Sequence, residues 1–316
     1  MNIKIFCDLF KEKHHLKEVK DLGDIIIFFE KLKTGIENNE TSALIIGDYL
    51  YNNISADRVR KRKSSATEFE DFLDYAFGGK VTDAGSRKNI VPNASAGVHE
   101  SISNYVAGNR REKMDIIFPS KYGVSLKTSM PDNPEINLGS FAREALFLGF
   151  LTSQEYGGER KSGLGSKPQL EATFKKIELK NKWSEFYERF KSMVKYIYVD
   201  DIIFVVKDNM KLQIYFIRRE MLIDLLIEAV KGGPHSAINI INRYEGNSFR
   251  VERDKLIQKG IKIELDFSNI EKTNIKKLLN LFNELAENIL ILLEKKDVEN
   301  YDKFLLQKMK EIRKNL

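Results

Sequence analysis

Asp115-Ile-Ile-Phe-Pro-Ser-Lys-Tyr-Gly-Val-Ser-Leu-Lys127 predicts a β-hairpin in this 316-residue chain. An acidic residue opens a short apolar strand, a turn containing proline and glycine follows, and a second strand ends on a lysine. Apolar β-type runs separated by such a turn are the pattern of two antiparallel strands. This segment therefore bears on both the fold and the chemistry of the chain.

The spacing within the hairpin predicts that Asp115 and Lys127 meet. Side chains alternate across a strand, so Asp115 shares a face with Ile117, and Lys127 shares a face with Ser125. A loop over 119–123 places Ile117 opposite Ser125 and Asp115 opposite Lys127. Directly opposed Cβ atoms lie about 4.5 to 5.5 Å apart, so a carboxylate would lie beside an ammonium group. A register slip of one residue would move Lys127 to the other face.

The composition is typical of an ordinary soluble globular protein. Hydrophobic residues make up 42% of the chain and charged residues 31%, and both fractions are usual for such proteins. No apolar run reaches the roughly 18 residues that cross a bilayer, and the first residues lack a signal-peptide pattern. The single cysteine, Cys7, excludes an internal disulfide, and no Cys/His cluster suits structural zinc. We therefore expect a cytoplasmic protein that does not enter a membrane.

The charge balance is compatible with a nucleic-acid partner. The formal net charge is +6 and the sequence pI is near 9.0. An excess of positive charge favours association with a polyanion but says nothing about the fold. Solubility is the ordinary explanation of the same excess.

The remaining sequence predicts one α/β domain without repeats or a clean linker. We divide it into a helical N-terminal region (1–55), a core (56–218) and a largely helical C-terminal region (219–316). The predicted elements are helices over 1–55, 64–79, 137–151, 169–195, 220–231 and 269–316, strands over 196–206 and 211–218, and strand-like pieces within 249–267. Together they predict a mixed central β-sheet flanked by helices, with helical additions at both ends.

An acid facing a lysine is what metal-dependent phosphodiester hydrolysis needs. The carboxylate of Asp115 and the main-chain carbonyl of Leu126 are oxygen ligands of the kind that Mg²⁺ prefers, and the ion keeps several waters. A bound metal lowers the pKa of such a water, which becomes the nucleophile. Lys127 would orient this water and stabilise the negative charge that develops at phosphorus.

This constellation resembles the PD-(D/E)xK nuclease superfamily, best known from type II restriction endonucleases. The resemblance covers the hairpin and departs from the motif at two positions: Met114 replaces the proline, and Ser125 replaces the second acid. One subgroup of restriction enzymes has Ser-x-Lys on this strand and takes the missing glutamate from a helix shortly downstream. The resemblance therefore implies a restriction-endonuclease-like catalytic domain with Ser125 in the site and Glu144 as a third metal ligand.

Glu144 lies in a segment that predicts a helix over 137–151. Such a helix would place Glu144 on one face with Phe141, Phe147 and Leu148. An acid on an apolar face is costly unless it has a partner, and a metal would be such a partner. An ion pair with a nearby arginine is the alternative.

A further acid is expected from the helix over 64–79. Its apolar stripe consists of Phe69, Phe72, Leu73, Ala76 and Phe77. Glu70 borders this stripe, and the resemblance implies a glutamate on such a helix near the metal or its water. Glu68 is the alternative, and both acids would otherwise face solvent.

Each site residue also has an ordinary explanation. Asp115 alone would be a solvent-facing acid at a strand start, and Lys127 alone an edge-strand lysine that prevents aggregation. Asp200-Asp201 before the run ending in Lys207 is a rival acid/lysine pair. No second acid accompanies that pair, and its long apolar run predicts a central strand.

Polar residues near the hairpin are candidates for DNA binding. They are Asn109, Arg110, Arg111, Lys113 and Arg143. Arginine and lysine follow phosphates, and arginine and asparagine read base edges; solvated loops are the alternative. We therefore expect a Mg²⁺-dependent, sequence-specific endonuclease of a restriction–modification system that acts on double-stranded DNA as a homodimer, because a palindromic site calls for two symmetric active sites. The alternatives are a DNA repair or structure-specific nuclease of the same superfamily and a non-catalytic DNA-binding regulator.

Overall fold

The computed structural model describes residues 3–54, 65–81, 114–129, 131–141, 143–152, 154–156, 164–207, 210–245, 248–268 and 270, with the single positions 280, 284, 287 and 307. The strands within these residues are β1 (Lys80–Val81), β2 (Ile116–Ile117), β3 (Gly123–Ser129), β4 (Glu135–Ser140), β5 (Asp201–Lys207), β6 (Lys211–Ile217), β7 (Ile241–Glu245), β8 (Ser248–Glu252) and β9 (Ile261–Asp266). The helices in the same residues are α1 (Ile3–Lys13), α2 (Leu22–Glu37), α3 (Thr41–Ile54), α4 (Ser65–Phe77), α5 (Arg143–Phe147), α6 (Lys167–Leu179), α7 (Trp183–Ile197), α8 (Arg219–Lys231), α9 (Pro234–Ala237) and α10 (Arg253–Ile257).

Six strands form a mixed central sheet in the order β1-β2-β3-β5-β6-β9. Neighbours are antiparallel except β3 and β5, which run parallel. A parallel pair needs a crossover connection, and this one carries β4 and helices α5 to α7. β5 lies between two partners and its residues 202–206 are buried, which confirms the predicted central strand.

Helices cover both faces of the central sheet. Ile203 and Val205 of β5 pack in one hydrophobic core with residues of α1 to α4. Ile202 and Phe204, at the alternate positions, pack in a second core with residues of α5 to α8. The predicted mixed sheet flanked by helices is therefore confirmed as an architecture.

The N-terminal helices form where the sequence predicts them. Asp21 caps α2: its Oδ1 accepts the N–H groups of Gly23 at 2.7 Å and Asp24 at 3.3 Å, which satisfies donors that a helix start leaves open. The predicted stripe on α4 packs against this layer: Phe69, Phe72, Leu73 and Ala76 are buried and Phe77 is partly buried. Within the described residues, no helix is long and apolar enough to span a membrane.

The predicted helix over 137–151 was wrong. This segment contains the end of β4, followed by the short helix α5. Ile136 and Leu138 are buried while Asn137 is exposed, which is the two-residue alternation of a strand. Gly139 has a φ of +87° and lies in an irregularity between Asn137 and Ser140, a backbone that a helix cannot contain.

Three other boundaries differ from the predictions. The predicted helix over 169–195 is two helices, α6 and α7, because Asn181 between them has a φ of +56°. α7 continues to Ile197, so β5 begins at Asp201 and not at Tyr196. In the C-terminal region, β8 and β9 confirm the strand-like pieces predicted within 249–267, whereas β7 was not predicted. β9 joins the central sheet, and β7 and β8 form a second, antiparallel sheet of order β4-β8-β7.

Candidate active site

The hairpin forms, but its register differs by two residues from the prediction. Ile117 lies opposite Gly123 and Ile116 opposite Val124, so the predicted pairing of Asp115 directly opposite Lys127 was wrong. The Phe118 N–H donates to the Tyr122 carbonyl at 2.8 Å. The turn is therefore 119–121 and not 119–123.

The turn chemistry explains this shift. Lys121 takes the left-handed conformation, with a φ of +69°, and a three-residue hairpin loop needs such a residue at its last position. Gly123, which the prediction included in the loop, instead lies in β3. Because side chains alternate with period two, a shift of two residues leaves Asp115 and Lys127 on the same face.

Asp115 and Lys127 do meet in the structure. Lys127 Nζ lies 3.2 Å from Asp115 Oδ2 and 2.9 Å from the Leu126 carbonyl oxygen. The Leu126 N–H donates to the same Oδ2 atom at 2.6 Å. The side chains are only 14% exposed for Asp115 and 22% for Lys127, so the pair is largely removed from water.

These contacts also have a structural role. The backbone pairing of β2 with β3 ends at Ile116 and Val124. Leu126 is the next residue of β3 whose N–H and carbonyl groups would face β2. The Asp115 carboxylate accepts its N–H and the Lys127 ammonium donates to its carbonyl. Both side chains therefore satisfy backbone groups that the ladder leaves open.

The oxygen atoms of Asp115 and Leu126 suit a divalent cation in part. One carboxylate oxygen and one main-chain carbonyl oxygen contact the same ammonium nitrogen, so a single positive charge fits against both. Mg²⁺ binds through one or two carboxylates and keeps several waters, which agrees with Asp115 and Leu126 as ligands. Within the described residues, no group of three or more His, Cys, Asp and Glu side chains could hold a metal.

The two candidate glutamates, Glu144 and Glu70, lie on helices α5 and α4. Glu144 lies in α5, but its side chain is outside the described part of the chain. Its predicted helical face does not form, because Phe141 precedes the helix and Leu148 is 45% exposed. Glu70 is half-buried on α4, and Glu68 lies two residues nearer the helix start.

The side of the sheet argues against α4 as the source of the further acid. Val124 and Leu126 share the core that contains the α4 residues. Lys127 is in register with Phe204, which belongs to the core on the other face. The helix of Glu70 and Glu68 and the Lys127 side chain therefore belong to opposite faces.

The structure describes two of the other candidate residues, Ser125 and Arg143. Ser125 is buried, at 7% exposure, on the face of Lys127. Arg143 is half-buried in α5. Asn109, Arg110, Arg111 and Lys113 lie outside the described residues.

A cavity of about 320 Å³ lies beside Lys127, where β3 and β4 are in contact. Its lining is Leu126, Lys127, Thr128, Asn133, Glu135, Ile136, Asn137, Gly139, Phe204 and Arg250. The lining residues from β4 and β8 were not predicted, because neither strand was expected to form a wall of the site. The alternation in Glu135-Ile-Asn-Leu138 was the signal that could have revealed β4.

Glu135 organises two arginines at this cavity. Arg243 Nε donates to Glu135 Oε1 at 3.1 Å and to Oε2 at 3.0 Å, and Arg243 Nη2 lies 2.9 Å from Oε2. Arg250 Nη1 lies 3.8 Å from the same carboxylate. Arg243 and Arg250 are paired across β7 and β8, where like charges repel, so Glu135 keeps them together.

The rival acid Asp201 is engaged in structural contacts. It accepts from Tyr122 Oη at 2.6 Å and from the Arg219 N–H, at the start of α8, at 2.8 Å. Burial and the bond to Asp201 raise the pKa of Tyr122 above its ordinary value. These residues line a separate cavity of about 480 Å³, at the ends of β3 and β5 away from Lys127.

Comparisons of the chain with protein-family models, curated proteins and solved structures found no match. Function is therefore inferred from the residues of the site.

Proposed function

We propose that the chain is a Mg²⁺-dependent endonuclease for double-stranded DNA, with a restriction-endonuclease-like core. The observation that carries this proposal is the convergence of Asp115 Oδ2 and the Leu126 carbonyl on the Lys127 ammonium. A carboxylate, a carbonyl and a lysine at one point are the groups that hydrolysis of a phosphodiester requires.

The surroundings of Asp115 prepare it for this role. The 2.6 Å hydrogen bond from the Leu126 N–H fixes the position of Oδ2. Partial burial strengthens the attraction between this carboxylate and a cation, because the effective dielectric constant is lower than in water. The chain thus supplies a fixed anionic ligand and not a mobile surface acid.

The reaction divides between the metal and the lysine. Mg²⁺ would be held by Asp115 and the Leu126 carbonyl, with Glu144 as the proposed further ligand, and it would lower the pKa of a bound water. Lys127 orients the attacking water and donates to a phosphate oxygen. Its positive charge stabilises the additional negative charge that develops in the transition state.

The location in the fold supports a binding site. Lys127 lies near the carboxyl end of β3, which runs parallel to β5. Ligands of open α/β sheets bind outside the carboxyl ends of their parallel strands. The cavity beside Lys127 opens there, next to β4.

Restriction is the biological role that we propose for this activity. The net charge of +6 favours a polyanionic substrate, and the resemblance implies site-specific cleavage by a cytoplasmic homodimer. Arg143 is the described candidate for base readout, and Asn109, Arg110, Arg111 and Lys113 complete the proposed DNA-binding set. A repair or structure-specific nuclease would use the same catalytic groups on a different DNA structure.

A plasmid-cleavage assay tests the proposal. The purified chain should cut plasmid DNA with Mg²⁺ and not with EDTA, and discrete fragments would indicate restriction. Lys127→Ala should abolish cutting and preserve DNA binding. Lys180→Ala is the matched control, because Lys180 forms a 3.0 Å ion pair with Glu155 away from the site; it should cut as the wild type does.

Two outcomes would contradict the proposal. Unchanged cutting by Lys127→Ala would show that the lysine is not part of the catalytic site. DNA binding without cutting in the presence of any divalent cation would favour the alternative of a non-catalytic DNA-binding regulator. In that case Asp115 and Lys127 serve only to close the end of the β2–β3 ladder.

A further inference from the structure

The cavity beside Lys127 presents hydrogen-bond donors. Two of them are the amide groups of Asn133 and Asn137, which are both exposed. Asn133 Oδ1 accepts the Glu135 N–H at 3.1 Å, and Asn137 Oδ1 accepts the Gly139 N–H at 2.9 Å. Each amide oxygen is therefore occupied within its own turn.

The amide nitrogens are what these two asparagines offer to a ligand. No hydrogen bond within the described residues engages the Nδ2 atom of either side chain. The turn that Asn137 Oδ1 stabilises lies at the irregularity of β4 between Asn137 and Ser140, where Gly139 has a φ of +87°. Strand irregularities of this kind occur often beside active sites, where they redirect a side chain.

Positive charge lies in the same cavity. Lys127 and Arg250 both contribute to its lining. The one acidic side chain of the lining, Glu135, is engaged by Arg243 in a two-pronged contact and by Arg250. Guanidinium and amide N–H groups around a space of about 320 Å³ suit a ligand that is anionic and accepts hydrogen bonds.

We propose that this cavity binds a backbone phosphate of DNA adjacent to the cleaved one. This inference rests on the proposed function, since Lys127 lies at the cleaved phosphate and also lines the cavity. A phosphodiester presents only acceptor oxygens, which match the Nδ2 groups of Asn133 and Asn137 and the guanidinium of Arg250.

Base readout is less consistent with the geometry. Asparagine reads adenine with its oxygen and its nitrogen together. The oxygens of Asn133 and Asn137 are already bound to backbone N–H groups. A contact made only through the nitrogen positions the DNA backbone and carries no sequence information.

Asn133→Asp and Asn137→Asp test the proposal with little change in shape. Each variant keeps the oxygen that holds its turn and replaces the amide donors by a second, negatively charged oxygen. Asn38→Asp is the matched control: it adds the same charge at an exposed position after α2, on the face of the sheet opposite the cavity. Thermal unfolding should show that all three variants are folded.

Binding is measured by fluorescence anisotropy with three labelled 24-base-pair duplexes of unrelated sequence, in Ca²⁺ and in EDTA. We expect each cavity variant to bind about tenfold more weakly than the wild type, by the same factor for all three duplexes. Asn38→Asp should stay within about twofold, since a distant exposed charge is screened by salt.

The outcomes separate this proposal from the proposed function. Equal weakening by Asn38→Asp, or unchanged affinity of both cavity variants, overturns the phosphate site even if the wild type cuts DNA. A loss confined to one duplex sequence overturns it in favour of base readout. Weakened binding of the cavity variants together with a wild type that never cuts rejects the endonuclease and supports the cavity as a phosphate site of a DNA-binding protein.

Discussion

Replacing Asp115 by asparagine separates the two roles of its carboxylate. In the wild type the Leu126 N–H donates to Asp115 Oδ2 at 2.6 Å, and Lys127 pairs with the same oxygen at 3.2 Å. Asparagine keeps an oxygen that can accept the N–H but loses the charge that pairs with Lys127. An exposed ion pair contributes about 0–1 kcal/mol, and this pair, which is largely removed from water, lies at the upper end of that range. We therefore expect Asp115→Asn to lose about 1 kcal/mol of unfolding free energy and all Mg²⁺-dependent cleavage.

Asp115→Ala removes both roles. It leaves the N–H of the buried Leu126 without its acceptor, which costs about 1–3 kcal/mol in addition to the lost ion pair. The total loss should be about 2–4 kcal/mol. The 14% and 22% exposure of the two side chains keeps it below the full cost of breaking a fully buried pair.

Urea unfolding followed by circular dichroism measures these free energies, and the plasmid assay measures cleavage. An Asp115→Asn variant that still cuts with Mg²⁺ would refute the role of the carboxylate as a metal ligand. An Asp115→Ala variant as stable as the wild type would show that the Leu126 hydrogen bond does not stabilise the hairpin.

Three further predictions concern positions around the site and on the surface. Glu135→Gln should lower the unfolding free energy by about 1–3 kcal/mol, because the two arginines it joins would repel each other; no change in urea unfolding would contradict this. Gly139→Ala should lower the unfolding free energy by about 1–2 kcal/mol, because an L side chain is strained at a φ of +87°. The cost is not steric crowding, since nothing lies within 4 Å of the added carbon. The control Gly165→Ala should be nearly neutral. The Thr152 N–H and then Lys180 lower the pKa of Glu155 to about 2 from 4.5, so its stabilisation is present above pH 4.5 and is lost as the pH falls towards 2. Glu155→Gln should therefore reduce the decrease in stability over that interval, and an unchanged acid unfolding profile would contradict the prediction.

The sequence was sufficient for features that depend on local pattern. The apolar stripe on α4 and the buried run of β5 follow from periodicity and length, and both are found as predicted. The meeting of Asp115 and Lys127 was also predictable, although the register was not. Alternation of side chains has a period of two, so the shared face survives a shift of two residues.

The walls of the site could not be predicted in the same way. β4 is a strand because it pairs with β8 more than a hundred residues later, Glu135 opposite Glu252, and local propensity does not contain that partner. Arg250 reaches the cavity only through this pairing.

The chain pattern thus determined which residues alternate, which helices carry apolar stripes and which acid shares a face with which lysine. Tertiary structure decided the register of the hairpin and the second sheet beside Lys127. The physical reason is that hydrogen bonds between distant strands, and a left-handed lysine in a tight turn, depend on contacts that no short window of sequence contains.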